Sequence, residues 1–216
     1  MEIDHTRAEA RVLDEALRPG AVVLDAGCGR TTRLRNYRDR IDCLVGIDLE
    51  EAAGRENPYL DEFVPADPGG RLPFDDDTFD LVYANFVVEH LDRPEWTFSE
   101  WRRVLRAGGR LLVVTSNRSN PFMAIGDRLP QSVRLAIKRR GAGAEERNVY
   151  PARYLANTPD RLASAARAAG FEAASVELVG TLHRYGARIP GLGWVLRAAE
   201  RILPAERRST IVASFR

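Results

Sequence analysis

Apolar and polar residues follow one another along this chain in blocks whose period changes. Val22, Val23 and Leu24 form a short apolar run closed by Asp25, and Cys43, Leu44, Val45 and Ile47 form another closed by Asp48. Runs of this length, bounded by an acid or a glycine, read as strands buried on both faces. The pattern predicts a helix at about 4 to 17, strands at 21 to 25 and 43 to 47, a helix from Thr31 and a short one from Glu50. Strands at 62 to 65, 80 to 84 and 110 to 115 follow, with a helix at 94 to 106 before the last. Such alternation implies a parallel sheet with helices on both faces.

The helix from Pro94 is the best marked: proline in its first turn, Trp96, Phe98, Trp101, Val104 and Leu105 as its apolar face, Gly108 and Gly109 as its stop. Both tryptophans therefore read as core. Thr158, Pro159 and Asp160 start another helix that Gly170 ends, and a strand is expected at 173 to 179. Residues 209 to 216 alternate as a final strand. Ile189 to Leu203, with Trp194, Val195, Leu196 and Ile202, reads as a covering helix on the sheet, with contact to a membrane surface as the other reading.

The chemistry starts where the first strand meets Gly27-Cys28-Gly29. Two glycines let the backbone turn tightly with no Cβ between it and a ligand. Asp48, 19 positions after Gly29, stands where a nucleotide-binding α/β unit hydrogen-bonds ribose hydroxyls. A nucleoside ligand follows. A dinucleotide loop needs a third glycine so that pyrophosphate can rest on the helix N-terminus, and that position is Thr32. Asp25 repels phosphate as well, whereas it suits an ammonium or a sulfonium.

These residues resemble the first motif of the class I S-adenosylmethionine-dependent methyltransferases, which reads much like Leu24-Asp25-Ala26-Gly27-Cys28-Gly29. The likeness continues through Asp67 to Val82, through Asn85-Phe86-Val87-Val88-Glu89-His90-Leu91, and through Val104 to Val113, in family order. The small bacterial-type members related to the quinone-biosynthesis C-methyltransferases are the most similar, and the likeness thins after Asn117. One departure stands out: Thr31 occupies a place where the family usually has glycine.

The resemblance implies a Rossmann-like α/β fold: a seven-stranded, mostly parallel sheet with an antiparallel last strand and helices on both faces. It implies S-adenosyl-L-methionine as cofactor, with Asp25, Ala26, Gly27, Cys28 and Gly29 around the methionine part. On the same basis Asp48 takes the ribose, Leu49 lies beside the adenine, Asp67 accepts from the adenine amino group, and Asn85 lies near the methionine part. Two local alternatives stay open: Asp48 as the N-cap of the helix at Glu50, and Asp67 as a turn former before Pro68.

Composition narrows the rest. The 216 residues hold one full core without a linker or repeat, so a single domain over 1–216 is expected, with an acceptor-facing insert at 117–157. The 32 basic and 31 acidic residues give no polyanion binder, so no nucleic acid partner is expected. The opening residues lack a signal-peptide pattern, which places the chain in the cytoplasm. Cys28 and Cys43 lack metal spacing, Cys28 reads as a small apolar residue, and Asp75, Asp76 and Asp77 read as solvated acids; no metal is expected.

Methyl transfer needs a base only when the acceptor carries a proton to remove. Of His5, His90 and His183, His90 follows a strand at the sheet's carboxyl edge and is the first candidate; His183 could face the acceptor from between the last two strands. Each has a structural alternative, and Glu89 either supports His90 or caps a helix. From Arg118 to Arg147 seven basic residues stand against three acids, with Val133, Leu135, Ala136 and Ile137 interleaved, a pattern for a basic amphipathic helix facing an anionic or lipid-like acceptor or a bilayer. The expected activity is methyl transfer to a small molecule, an apolar one included. The alternatives are a non-catalytic cofactor-binding module and, behind it, an NAD-dependent oxidoreductase.

Overall fold

A computed structural model describes residues 5–126, 150–186 and 190–216. Helix α1 (His5–Ala16) leads into β1 (Ala21–Ala26), and β2 (Ile41–Asp48), α2 (Glu51–Arg55) and β3 (Glu62–Pro65) follow. Then come β4 (Phe79–Asn85), α3 (Pro94–Val104), β5 (Leu105–Ser116) and α4 (Pro121–Gly126). The chain closes with α5 (Pro159–Ala168), β6 (Ala173–Val179), α6 (Leu192–Arg201) and β7 (Thr210–Phe215). The strands form one seven-stranded sheet in the order β3-β2-β1-β4-β5-β7-β6. The first five strands are parallel, and β7 inserts antiparallel between β5 and β6. This is the doubly covered Rossmann-like sheet that the sequence pattern and the resemblance imply.

Strand alternation divides the core. Leu24, Ala26, Val82, Ala84, Leu111 and Val113 pack one face against Phe98 and Trp101 of α3 and Leu162 of α5. Val23, Leu81, Tyr83, Leu112 and Val114 pack the other against Val12 and Leu13 of α1 and against Leu34. The strand order reverses at β1 and β4, and in such sheets a crevice opens there beyond the carboxyl ends of the strands.

Four expectations change. The helix from Thr31 is a single 3-10 turn, Arg33–Tyr37, in which Thr32 accepts from the Leu34 N–H. Leu34 is the turn's one buried residue, so no apolar face rewards a longer helix. The helix from Pro94 ends at Val104 instead of 106, because Leu105 is drawn into register with Phe79 and joins the sheet. Gly108, at φ 79°, thus lies within β5 and is not the helix stop. Trp101 is core, its indole N–H donating to the Pro68 carbonyl, but Trp96 is half-buried beneath the Arg93 guanidinium. The basic helix expected between 118 and 147 lies mostly outside the described residues, which here contain only α4 at its start.

Candidate active site

The site is assembled by three strand ends. Asp25 on β1, Asp48 on β2 and Asn85 on β4 keep the alternation of Val23, Leu44 and Leu81, so all three stand on the α1 face at the carboxyl edge. The turn after β1 begins with Gly27 at φ 81°, where a Cβ would lie 2.5 Å from Val87 Cγ2. Gly29, at φ 51°, has open space where its Cβ would be. One glycine is required by packing and the other leaves room for a ligand.

Asp48 holds this turn. Its carboxylate accepts from the Gly29 N–H at 2.9 Å and from the Glu50 N–H at 2.8 Å. The second bond is an Asx turn ahead of α2, whose N-cap is Glu50 with no side-chain cap bond, so Asp48 is not the cap that the sequence left open; the first ties the β2 acid to the glycine turn. Asn57 completes the clamp, its amide donating to the carbonyls of Cys28 and Gly29. Cys28 is buried beside Gly46, and burial pushes its thiol up, so it acts as packing.

Asp25 is 2 % exposed and opens on a cavity of about 330 Å³ that Gly27, Cys28, Thr31, Tyr83 and Asn85 also line. Burial raises its pKa to about 7; a hydrogen bond from Thr32 opposes the shift, and Asp48 and Glu9 add to it. Glu9, also buried, accepts from the Tyr83 hydroxyl and lies 3.6 Å from an Arg33 nitrogen. Asn85 Oδ1 is buried with no hydrogen-bond partner among the described residues. A buried acid beside an unsatisfied acceptor favours a cationic donor group. The ammonium of S-adenosylmethionine is such a group, so the residues present fit it.

The adenine and ribose candidates lie outside the cavity lining. Leu49 is 55 % exposed, and the exposed Asp67 accepts from the Gly69 N–H at 2.8 Å, the turn geometry that its place before Pro68 suggested. Ala26 is fully buried at the end of β1. Asp76 of the acidic triplet pairs with Arg103 at 2.8 Å.

The two histidines are not brought together. His90 follows β4 in a short 3-10 turn, and its Nδ1 lies 3.2 Å from the Pro151 carbonyl. A carbonyl only accepts, so Nδ1 carries a hydrogen, and in the neutral ring the lone pair is on Nε2. His183 sits in the turn Leu182–Gly186 after β6, three strands from β4, or about 14 Å across the sheet.

Sequence reasoning missed how residues 150–157 return to this edge. Tyr150 stacks edge-on against His90 with ring centroids 6.2 Å apart. Its phenol is pushed up by burial and by the charges of Asp48 and Glu50. This side chain therefore lies against His90, within electrostatic reach of the β2 acid. Glu89 turns inward: its carboxylate accepts from Thr115 at 2.7 Å, and its carbonyl accepts from the N–H groups of Arg153 and Tyr154. Asn157 donates to Thr115 Oγ1 and to the Ser116 carbonyl. Glu9 was legible in principle, as an acid one position after Ala8 and three before Val12 on an apolar helix face.

Residues 24–113 match a family model described as a methyltransferase domain. The chain is 27% identical over 169 residues to a demethylmenaquinone methyltransferase of Renibacterium salmoninarum, covering 74% of this chain and 70% of that one. It is 36% identical over 110 residues to a malonyl-[acyl-carrier protein] O-methyltransferase of Erwinia pyrifoliae, spanning 49% of this chain and only 41% of that protein. Among solved structures, a geranyl diphosphate methyltransferase in complex with GPP and sinefungin superposes with a TM-score of 0.63 at 18% identity, covering 97% of this chain and 77% of that one.

Proposed function

We propose that this chain, which belongs to the class I S-adenosylmethionine-dependent methyltransferases, passes a methyl group from that cofactor to a small apolar or lipid-like acceptor in the cytoplasm. The observation that carries the reading is the convergence of Asp25, Asp48 and Asn85 around a glycine turn with open space at Gly29. When bound, S-adenosylmethionine supplies a methyl carbon already activated by a sulfonium, whose leaving group departs neutral. Positioning is then most of the protein's work, worth up to about 7 to 11 kcal/mol where the geometry is good.

In this reading Asp25 pairs with the ammonium, Gly27, Cys28 and Gly29 bring backbone against the methionine part, and Asn85 accepts from it. Asp48 keeps lone pairs for the ribose hydroxyls while it holds the turn. Leu49 covers the adenine, and Asp67 receives its amino group. For an acceptor that must lose a proton, His90 Nε2 is the base; His183 is the second candidate. Residues 117–157 form the acceptor-facing insert of a single methyltransferase domain.

The apolar acceptor is supported by side chains at this edge: Phe86, Phe122, Ile125 and Leu155 are large, apolar and exposed. The names of two similar proteins, for demethylmenaquinone and geranyl diphosphate, point the same way. Weak contact with a membrane surface belongs to the same reading, and the balance of 32 basic and 31 acidic residues supports no nucleic acid.

The test is incubation of the protein with methyl-labelled cofactor and with the apolar and aqueous fractions of a cell extract. Mass spectrometry should find a metabolite of the apolar fraction gaining one methyl group. Label in neither fraction, from a protein that still binds S-adenosylhomocysteine, would assign it as a binding module instead.

A further inference from the structure

Helix α6 is apolar on both sides, and only one side is covered among the described residues. Leu192, Leu196, Ala199, Glu200 and Leu203 follow the 3.6-residue period on the inner side. Glu200 fixes that side: buried, it accepts from the Leu182 N–H at 2.9 Å and the Ser209 N–H at 2.8 Å. Gly180 lies where a Cβ would be 2.9 Å from this carboxyl, so the helix is seated closely. The outer side is then Trp194, Val195, Ala198 and Ile202, with Trp194 75 % and Ile202 85 % exposed. Arg197 and Arg201 flank it and are exposed too.

This face lies on the working edge of the sheet. α6 sits between the end of β6 and the start of β7, and β7 runs antiparallel to its neighbours, so the helix stands at the carboxyl end of the parallel strands. Two asparagines tie the start of α4 to the same place: Asn117 donates to the carbonyls of Glu206 and Arg208, and Asn120 to that of Arg207. α4 adds Phe122 and Ile125, both exposed. Charge is concentrated here as well. Residues 117–126, 180–186 and 190–208 hold the arginines 118, 184, 197, 201, 207 and 208 against the glutamates 200 and 206, in a chain whose overall net charge is +1.

We propose that the outer face of α6, with α4 beside it, docks on an anionic phospholipid surface. Tryptophan and aliphatic side chains enter the headgroup boundary, the arginines meet anionic headgroups, and the acceptor edge faces the bilayer. The proposal rests on the apolar-acceptor reading and names where such an acceptor is met.

The test is co-sedimentation with vesicles, which needs no turnover. The protein should pellet with equimolar phosphatidylcholine and phosphatidylglycerol, stay in solution with phosphatidylcholine alone, and be released at about 0.5 M salt, where screening acts within a few ångströms. Trp194→Glu combined with Ile202→Glu should lower the bound fraction about tenfold or more while S-adenosylhomocysteine binding stays intact. Should that variant fail to fold, brominated anionic vesicles should quench wild-type tryptophan emission far more than that of Trp194→Phe, which keeps only the buried Trp101 and the half-buried Trp96, and equal quenching of the two would overturn the proposal. No pelleting, equal pelleting with neutral vesicles, or a double variant that becomes monomeric from a dimer yet still pellets would overturn the proposal. Lost cofactor binding in the wild type, with docking intact, would count against the methyltransferase reading and not this one.

Discussion

The two halves of the carboxyl edge are built differently. Over β1, β2 and β4 the site is made by strand ends: Asp25, Asp48 and Asn85 are placed by register, and the turn between them is clamped by Asp48 and Asn57. Over β5, β7 and β6 the same edge carries short helices and returning loops with exposed Phe122, Leu155 and Trp194. Rigid strand ends suit a cofactor of fixed shape, whereas loops and short helices suit an acceptor that differs among relatives. The donor half should thus break through single residues, and the acceptor half should change by degrees.

Asp48→Ala is the sharpest break. It removes two backbone anchors and the proposed ribose acceptor together, so affinity for S-adenosylhomocysteine should fall about a hundredfold or more. Calorimetry checks it, with circular dichroism showing the fold retained, and unchanged affinity would refute the ribose role. The glycines separate packing from binding. Gly27→Ala meets Val87 at positive φ and should cost about 3 kcal/mol of stability in denaturant unfolding. Gly29→Ala meets nothing and should cost about 1 kcal/mol, yet weaken the ligand strongly.

Asp25 makes the donor half sensitive to pH. Its folded pKa of about 7 lies above the unfolded value of 3.8, so between these the native state holds the extra proton and stability falls as pH rises. The loss through that window is about 4 kcal/mol and ends above pH 7. Urea titrations of wild type and Asp25→Asn should differ by this slope. Binding runs the other way: an ammonium needs the carboxylate, so S-adenosylhomocysteine affinity should climb about fivefold from pH 6 to pH 7, reach about tenfold by pH 8 and level off above. A flat profile would remove Asp25 from the ammonium site.

Smaller effects belong to the acceptor half. Tyr150→Ala removes the ring packed against His90 and should weaken donor affinity about three- to tenfold, and Tyr150→Phe should restore most of it by keeping that ring. Equal loss in both variants would put the effect in the hydroxyl instead of the ring.

The same division governs what could be read from the sequence. Strands buried on both faces are written as continuous apolar runs, so β1, β2 and β4 were legible with their terminal Asp25, Asp48 and Asn85, as were the final antiparallel strand and the ends of α5. The segment after Thr31 was not, because four arginines between residues 33 and 40 hide how little apolar surface it offers beyond Leu34. The return of Tyr150 to His90 joins positions 60 residues apart, and no local pattern encodes it. Glu89 turned inward because Thr115 and Ser116 receive it, a pairing visible only once β5 lies beside β4.

The central claim is that the glycine turn after Asp25 seats S-adenosylmethionine and no dinucleotide. Titration calorimetry of the same preparation with S-adenosylhomocysteine and with NAD tests it most directly. The account predicts one-to-one binding of S-adenosylhomocysteine and no heat from NAD; tighter binding of NAD would contradict it.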